Sequence, residues 1–384
     1  MNARLLKSLA MPIALVAIGL FFALRLDREA LFSDGRFVFL GPRNLTQLLV
    51  EFATTGTLAL GMFMILLTGQ IDLSAGSGVG LIGGIAAVLV FQQGWPAPLA
   101  MLAAFAAAVG LWTLMGTLIV RERIPSFIIT LGGLLIFKGL FWLVIQNSTV
   151  PVTRGDQDNL YSLLTTYYLP PSAGIGLAAA VLAVLALVAW RGRRARQAHG
   201  MPVATRARSF GQAVATLAGV FGLVLVCNQF RGVPLSLLIL TTTAGTVYFL
   251  TRHTPFGRYL YAIGGNEEAA ALSGISVNRV LVGAYLLMGV TVALTGLMTT
   301  AYSGASTTTV GDLMELDAIA ACVIGGTALR GGRGTVGGVI FGALIMTTLL
   351  NGMTLLAVSP EIKFIARGAV LALAVWLDVR LGRK

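Results

Sequence analysis

Residues Thr68–Ser77 read TGQIDLSAGS and lie between two long apolar runs. The first run stops at Gly69, Asp72 and Ser74 are of the type that cap helix N-termini, and a glycine-rich apolar run follows. A second glycine-rich segment, Gly325–Gly338, reads GGTALRGGRGTVGG and is also flanked by apolar runs. Because glycine-interrupted segments in the two halves of a carrier often mark its transport path, we predict an interrupted helix at each site. The alternative at each site is an ordinary interfacial turn.

The composition is that of a membrane protein. Apolar residues (AVILMFWYC) make up 57% of the 384 positions and charged residues 11%, whereas an average soluble domain has about 25% charged residues. One crossing needs about 20 apolar residues, so the chain has enough for about ten crossings. The runs are continuously apolar rather than alternating, which argues against a barrel, and the 47 glycines favour close helix packing. We predict an all-α polytopic membrane protein, with residues 1–384 forming a single domain of about ten transmembrane helices plus short or broken segments.

The basic residues predict the orientation. With the N-terminus inside, alternating crossings place eighteen of the 27 Lys and Arg residues on the cytoplasmic side, in accord with the positive-inside rule. They are Arg4, Lys7, Arg121, Arg123, Arg191, Arg193, Arg194, Arg196, Arg206, Arg208, Arg252, Arg258, Arg279, Arg330, Arg333, Arg380, Arg383 and Lys384. The arginine-rich stretch 191–208 is predicted to be a cytoplasmic loop with no role beyond topology. Both termini are predicted to be cytoplasmic.

The sequence lacks the motifs of an enzyme or a motor. None of the four lysines has the glycine and hydroxyl neighbours of a phosphate-binding loop, and no zinc-protease or serine-hydrolase motif is present. The two cysteines and two histidines have no metal-ligand spacing, so no metal site is expected. Lys138 is the only ionisable residue near the centre of a predicted span, whereas ion-coupled carriers usually keep several. We therefore predict a non-enzymatic transporter whose energy comes from another protein.

A polar segment on the predicted cytoplasmic side, 254–278, reads TPFGRYLYAIGGNEEAAALSGISVN. Asn266 is an N-cap residue, Glu267 and Glu268 suit the positive end of a helix dipole, and Gly274 can end a helix. These signals predict a helix of about seven residues, Glu267–Ser273. A short cytoplasmic helix suits the docking of a motor subunit, and the alternative is a helix lying at the lipid headgroups.

Four segments together resemble a known family. They are GQIDLSAGS at 69–77, IPSFIITLGGLLIFKGL at 124–140, TPFGRYLYAIGGNEEAAALSGISV at 254–277 and CVIGGTALRGGRGTVGG at 322–338. These segments are similar to membrane permease subunits of bacterial ribose- and xylose-type ABC importers. The arginine-rich stretch 191–208 and the segment 124–151 look closest to the D-xylose members. The resemblance covers nearly the whole chain and implies a type II-like ABC importer permease fold in the bacterial inner membrane.

The resemblance also implies partners. Two permease copies would form the membrane core, two cytoplasmic ATPase subunits would bind ATP and Mg, and a periplasmic sugar-binding protein would deliver the sugar. The chain itself would hold no cofactor and would not bind nucleic acid. The implied function is ATP-driven import of a monosaccharide, a pentose such as D-xylose, by alternating access. The alternatives are a self-sufficient secondary carrier or channel, or an ABC permease for ribose, a nucleoside or an amino acid.

Three groups of site residues follow. The coupling loop maps onto 254–278, and its expected contacts with the ATPase are Gly265, Asn266, Glu267, Glu268, Ala270, Leu272, Ser273 and Gly274. Candidates for the translocation path are polar or aromatic residues near the breaks or in the spans, namely Phe63, Gln70, Asp72, Ser74, Lys138, Trp142, Asn147 and Asn351. Four arginines that fall outside are predicted to hold acidic patches of the binding protein, namely Arg25, Arg28, Arg36 and Arg43.

Overall fold

The structure is a computed structural model that describes residues 3–28, 37–155, 158–201 and 206–382. Almost all of this part is helical. In chain order the helices are α1 (Ala3–Leu26), α2 (Pro42–Leu67), α3 (Ala75–Phe91), α4 (Ala97–Glu122), α5 (Ser126–Val144), α6 (Leu160–Thr166), α7 (Pro171–Ala198), α8 (Arg206–Asn228), α9 (Leu235–His253), α10 (Pro255–Gly265), α11 (Glu267–Leu272), α12 (Val277–Ser303), α13 (Met314–Ile324), α14 (Val336–Leu355) and α15 (Pro360–Gly382).

Seven helices of the described part are long and apolar enough to cross a membrane, namely α2, α4, α5, α7, α9, α12 and α14. Shorter apolar helical stretches lie at Met11–Leu26, Ala75–Phe91 and Ala213–Asn228. This confirms the all-α polytopic fold expected from the composition.

Two helices form the centre of the molecule. α2 is the most buried of the apolar spans, and α12 packs against α2, α3 and α4. Their contacts use small residues, as is typical where helices associate in lipid. A side chain at Gly61 of α2 would overlap Thr291 and Met288 of α12, and one at Gly116 of α4 would overlap Tyr285 of α12. Large buried side chains therefore fill the space that glycines leave open.

The chain reverses direction at 68–74. α2 runs antiparallel to α12, whereas α3 runs parallel to α12. The neighbouring pairs are Glu51 with Tyr302 and Gly61 with Thr291 for α2, and Val79 with Gly296 and Gly83 with Thr300 for α3. The prediction of one interrupted helix through Thr68–Ser77 is therefore wrong, because α2 and α3 are separate elements of opposite direction.

The segment Gly325–Gly338 is also a reversal rather than an interruption. α13 and α14 pack antiparallel, with Gly325 against Gly338 and Gly342 against Ala321. The backbone that departs from helix inside the bundle lies earlier, at 304–313, where Val310 and Gly311 reach the first two turns of α3 at Gly76 and Gly80. α13 is accordingly a helix of only 11 residues, entered from an irregular segment.

Two short antiparallel strand pairs connect the ends of helices. β1 (Val150–Pro151) pairs with β4 (Ala305–Ser306), and β2 (Tyr168–Leu169) pairs with β3 (Val233–Pro234). The pairs tie the end of α5 to the end of α12, and the start of α7 to the start of α9. All four of these ends are predicted to lie outside.

The helices α7 and α8 lie at the edge of the bundle. They pack on each other, and α8 touches α2, while most of the α7 surface stays exposed. The predicted loop 191–208 is largely helical, because α7 continues to Ala198 and α8 begins at Arg206. Arginine has a high helix propensity, which allows the helix to continue past the apolar stretch.

Candidate coupling and translocation sites

The predicted coupling helix is present and capped as expected. The Asn266 side chain accepts a hydrogen bond from the backbone N–H of Ala269 at 2.9 Å. The helix covers Glu267–Leu272, six residues rather than about seven, and ends where the Ser273 hydroxyl donates to the carbonyl of Ala269. Gly274 follows with φ +82°, the left-handed conformation that ends many helices.

The exposed face of α11 is suited to a partner. Glu267, Glu268 and Leu272 are exposed, and Leu272 keeps 85% of its surface accessible. Ala270 is buried and anchors the helix to the chain. Of the predicted contact residues, Gly265, Asn266, Ser273 and Gly274 are exposed as well, so Ala270 is the member whose side chain points inward. Contact with an ATPase by these residues stays a prediction.

Immediately before α11, three segments meet at glycines. We call Gly69, Gly264, Gly331 and Gly332 the glycine junction. The Gly332 N–H donates to the carbonyl oxygen of Leu67 at 2.9 Å, at the end of α2. A Cβ on Gly331, whose φ is +87°, would lie 2.7 Å from the Cα of Gly264 and 2.8 Å from the Gly69 nitrogen. The backbones touch directly here, with no side chain between them.

Two side chains reinforce the glycine junction. The Tyr261 hydroxyl of α10 donates to the carbonyl oxygen of Gly334 at 3.0 Å. Burial raises the pKa of this phenol, which keeps it a neutral donor. Phe63, a predicted path residue, is fully buried and lies against Gly334. Its position links α2 to the segment before α14.

Lys138 and Trp142 hold the irregular segment 304–313. The Lys138 ammonium donates to the Thr308 carbonyl oxygen at 2.9 Å and pairs with the Asp312 carboxylate. The Trp142 indole lies beside the same carbonyl, and its ring lies 5.5 Å from the Lys138 nitrogen. Asp312 and Thr309 are exposed. Within a bilayer, irregular backbone with exposed polar groups occurs only against protein or a water-filled cavity. This cluster is therefore the strongest candidate for a polar path.

Asp72 and Ser74 shape the reversal between α2 and α3. Both are fully buried. The Asp72 carboxylate accepts from the backbone N–H and hydroxyl of Ser74 at 2.8 and 2.6 Å, and from the Trp112 indole at 2.6 Å. These contacts favour a role in holding the turn. Gln70 is only partly buried at the same turn.

Asn351 belongs to a different cluster. Its amide oxygen accepts from Asn44 at 3.1 Å, and its amide nitrogen donates to Glu51 at 3.4 Å. Tyr302 donates to the other oxygen of Glu51 at 3.0 Å. The cluster joins α2, α12 and α14 and shares no hydrogen-bond partner with Lys138. Asn147 is exposed beyond the end of α5, with φ +51°.

The predicted docking arginines lie near a buried carboxylate. Arg25, Arg28 and Arg43 are exposed, while Arg36 lies outside the described residues. Asp27 is fully buried and accepts from the backbone N–H groups of residues 38, 39 and 40 at 2.6–2.8 Å. Because these bonds occupy its carboxylate, Asp27 holds the local backbone rather than pairing with the arginines.

Sequence reasoning missed several of these residues. Asp312 and Thr308 lay in no motif, and Tyr261 lay in the segment 254–277 without an assigned role, because their importance depends on contacts 73 to 174 positions away in the chain. The glycine junction was visible only as separate glycine-rich stretches. Its signal in the sequence was that the stretches resembling the family, at 69–77, 254–277 and 322–338, all contain glycines at these positions.

Known transport permeases match this chain along nearly its whole length. The family described as branched-chain amino acid transport system / permease component matches residues 44–375. The xylose transport system permease protein of Escherichia coli strain K12 is 39% identical, covering 99% of this chain and 93% of its own length. That of Haemophilus influenzae is 38% identical, covering 97% of this chain and 96% of its own.

More distant relatives agree as well. The ribose import permease protein of Bacillus subtilis is 33% identical, covering 88% of this chain and 86% of its own length. No solved structure matches the chain. Membership in a transport-permease family confirms the expectation of a multi-pass membrane transport subunit that is not an enzyme. The chain belongs to the family of branched-chain amino acid transport system permease components.

Proposed function

We propose that this permease is the membrane subunit of an ATP-driven, binding-protein-dependent importer of D-xylose that works by alternating access. The observation that carries the substrate is the 39% identity to a xylose permease along 99% of the chain. Ribose is the second candidate, supported by lower identity over a shorter part of the chain.

The working unit is proposed to contain two copies of this chain, two cytoplasmic ATPase subunits and a periplasmic sugar-binding protein. ATP and Mg bind in the ATPase subunits, and the permease needs no cofactor of its own. The exposed polar groups around Asp312 support a second copy, because a lipid-facing position would leave irregular backbone unsatisfied. The sugar path then runs along the face that carries Lys138, Trp142 and Asp312.

Coupling is proposed to pass through the glycine junction. An ATPase that moves α11 also moves Gly264, since only Gly265 and Asn266 lie between α11 and that residue. Gly264 touches the end of α2 and Gly331 by direct backbone contact. A displacement at α11 is therefore passed to α2 and α14 without the slack that side chains would add.

The orientation is proposed with both termini in the cytoplasm of a bacterial inner membrane. The packing supports it, because chain ends predicted on the same side come together. The strand pairs join ends predicted outside, and the glycine junction joins segments predicted inside. The exposed Arg25, Arg28 and Arg43 then face the binding protein.

The experiment is uptake of labelled D-xylose into vesicles. One set contains the purified chain alone, and the other contains the chain with its ATPase and binding protein. Uptake only in the complete set, and only with ATP, is the expected result. Uptake by the lone chain along a proton or sodium gradient would instead establish a secondary carrier. Competition by ribose, a nucleoside and an amino acid tests the substrate.

A further inference from the structure

A cleft of about 790 Å³ separates α7 from α8 over the half of the hairpin that ends in arginines. Its walls are apolar and include Leu182, Leu185 and Leu217, and its end carries Arg193, Arg196 and Ser209. Its volume lies within the roughly 300–1,000 Å³ of small-molecule sites. The cleft therefore combines a long apolar wall with a cationic end.

The helices α7 and α8 touch near the start of α7 and are separated towards the arginines. Near the start of α7, Gly174 lies against Val224 and Val233, which brings the helices together. Towards the arginines, alanines on the facing walls leave the space between the helices unfilled. At that end the Arg193 guanidinium donates to the Ser209 hydroxyl at 3.0 Å, so one hydrogen bond spans the cleft.

The positive charge at this end has no acidic counterpart nearby in the chain. The stretch 191–196 contains four arginines, and no Asp or Glu occurs anywhere from 159 to 266. The ion pairs among the described side chains involve Lys138 and Arg367, not these arginines. This uncompensated positive charge therefore favours binding of an anionic group from outside the chain.

Trp190 marks the depth of this end in a membrane. Its side chain is half exposed and lines the cleft, and the Arg194 guanidinium lies 4.0 Å from the centre of its ring. Tryptophan is enriched at membrane–water interfaces, where the ring lies at the level of the headgroups. A bound headgroup would therefore lie beside Arg193 and Arg196, with its acyl chain along the leucines.

We propose that the α7–α8 cleft is a binding site for an anionic phospholipid of the cytoplasmic leaflet. Basic pockets between transmembrane helices on the cytoplasmic side are known to take such headgroups. The proposal rests on the cytoplasmic placement of Arg191–Arg196 in the proposed function. It does not depend on the substrate, because binding is measured without transport.

The test uses Trp190 as the reporter in vesicles of phosphatidylcholine. Either dibrominated phosphatidylglycerol or dibrominated phosphatidylcholine is added as the quencher, and the Trp190 signal is the difference between the wild type and Trp190→Phe. Stronger quenching of Trp190 by the anionic lipid is expected. An arginine that lies beside the anionic headgroup is expected to contribute about 1 kcal/mol, a fivefold change in affinity, so Arg193→Gln with Arg196→Gln should weaken lipid binding about 25-fold.

A matched control removes the same kind of charge outside the cleft. Arg191→Gln should change the affinity by less than about twofold, because Arg191 does not line the cleft. Equal loss in Arg191→Gln would mean a diffuse surface charge and overturn the site. Equal quenching by both lipids would mean ordinary annular lipid. Protection of Trp190 from both would mean that a second copy covers the cleft. Displacement by inorganic phosphate alone would mean an ion site rather than a lipid site.

Discussion

Replacing Gly264 by Ala should uncouple ATP hydrolysis from transport. The added Cβ would overlap the carbonyl oxygen of Leu67 and lie 2.9 Å from its carbon, and it would also overlap the Gly332 nitrogen. Since carbon atoms pack at about 3.5–4.0 Å, α10 would have to withdraw from the end of α2 by on the order of 1 Å. The obstacles are backbone atoms, so no side chain can rotate away.

The size of the effect follows from overpacking. Inserting one methyl group into a well-packed contact costs about 1–3 kcal/mol. If that cost destabilises the arrangement in which the backbones of the glycine junction touch, the population of this arrangement drops by a factor of about 5 to 150. We expect the xylose uptake per ATP hydrolysed to decrease by a factor in this range in reconstituted complexes. The variant chain should still insert and still bind the ATPase through α11.

The neighbouring glycine provides the control. A Cβ on Gly265 would meet no atom within 4 Å, so Gly265→Ala changes the same motif without touching the glycine junction. Because alanine favours helix over glycine by about 1 kcal/mol, this variant should keep the packing of the wild type, and any loss of transport should come with weaker ATPase binding, since Gly265 is a predicted ATPase contact. Wild-type coupling in Gly264→Ala would refute direct backbone transmission. Equal loss in both variants would assign the effect to α11 docking instead.

Four further predictions concern other parts of the molecule. Thiols introduced at Ser303 should react with a membrane-impermeant reagent from outside, and thiols at Gln197 should not; the reverse pattern would contradict the proposed orientation. Arg28→Glu should slow association with the binding protein at low ionic strength, and the difference should vanish at high salt because the charge is exposed; an unchanged rate at low salt would leave Arg28 without a docking role. Lys138→Met removes the cation that holds the irregular segment and should lower uptake, because the lost charged hydrogen bond stabilises the segment by about 1.5–3 kcal/mol; Lys138→Arg, which keeps the charge, should restore part of the uptake. Normal uptake in Lys138→Met would separate this cluster from the path. Ala270→Glu introduces a charge at the buried anchor of α11 and should abolish sugar-stimulated ATP hydrolysis in a chain that still inserts, as checked by ATPase assay and membrane fractionation.

Local signals were enough to place the predicted coupling helix. Asn266, the two following glutamates and Gly274 act within one or two turns, so their roles can be inferred from neighbours in the chain. The structure places the cap, the helix and the left-handed glycine where these residues predicted them, with one residue fewer in the helix. The apolar character of the spans likewise followed from composition, because the bilayer sets the length of a crossing, but their number did not: about ten were predicted, and seven helices of the described part are long and apolar enough to cross.

The breaks were beyond the reach of local signals. A glycine-rich stretch between apolar runs is compatible with an interrupted helix or with a reversal, and only the opposite directions of α2 and α3 along α12 decide between them. The candidate path residues were chosen as polar residues near apolar runs. Their partners decided their roles, since Asn351 is enclosed by Asn44 and Glu51, whereas Lys138 meets an exposed aspartate.

The sequence by itself determined that this chain is a helical membrane transport subunit that is not an enzyme, and placed the predicted coupling helix to within one residue at its end. These properties depend on composition and on residues a few positions apart. Only the tertiary structure decided that Gly69, Gly264 and Gly331 meet, and that Lys138 holds a segment 170 residues later. The physical reason is that close backbone contact and charge pairing depend on distances in space. Glycine has no side chain whose chemistry would indicate, in the sequence, which segment it contacts.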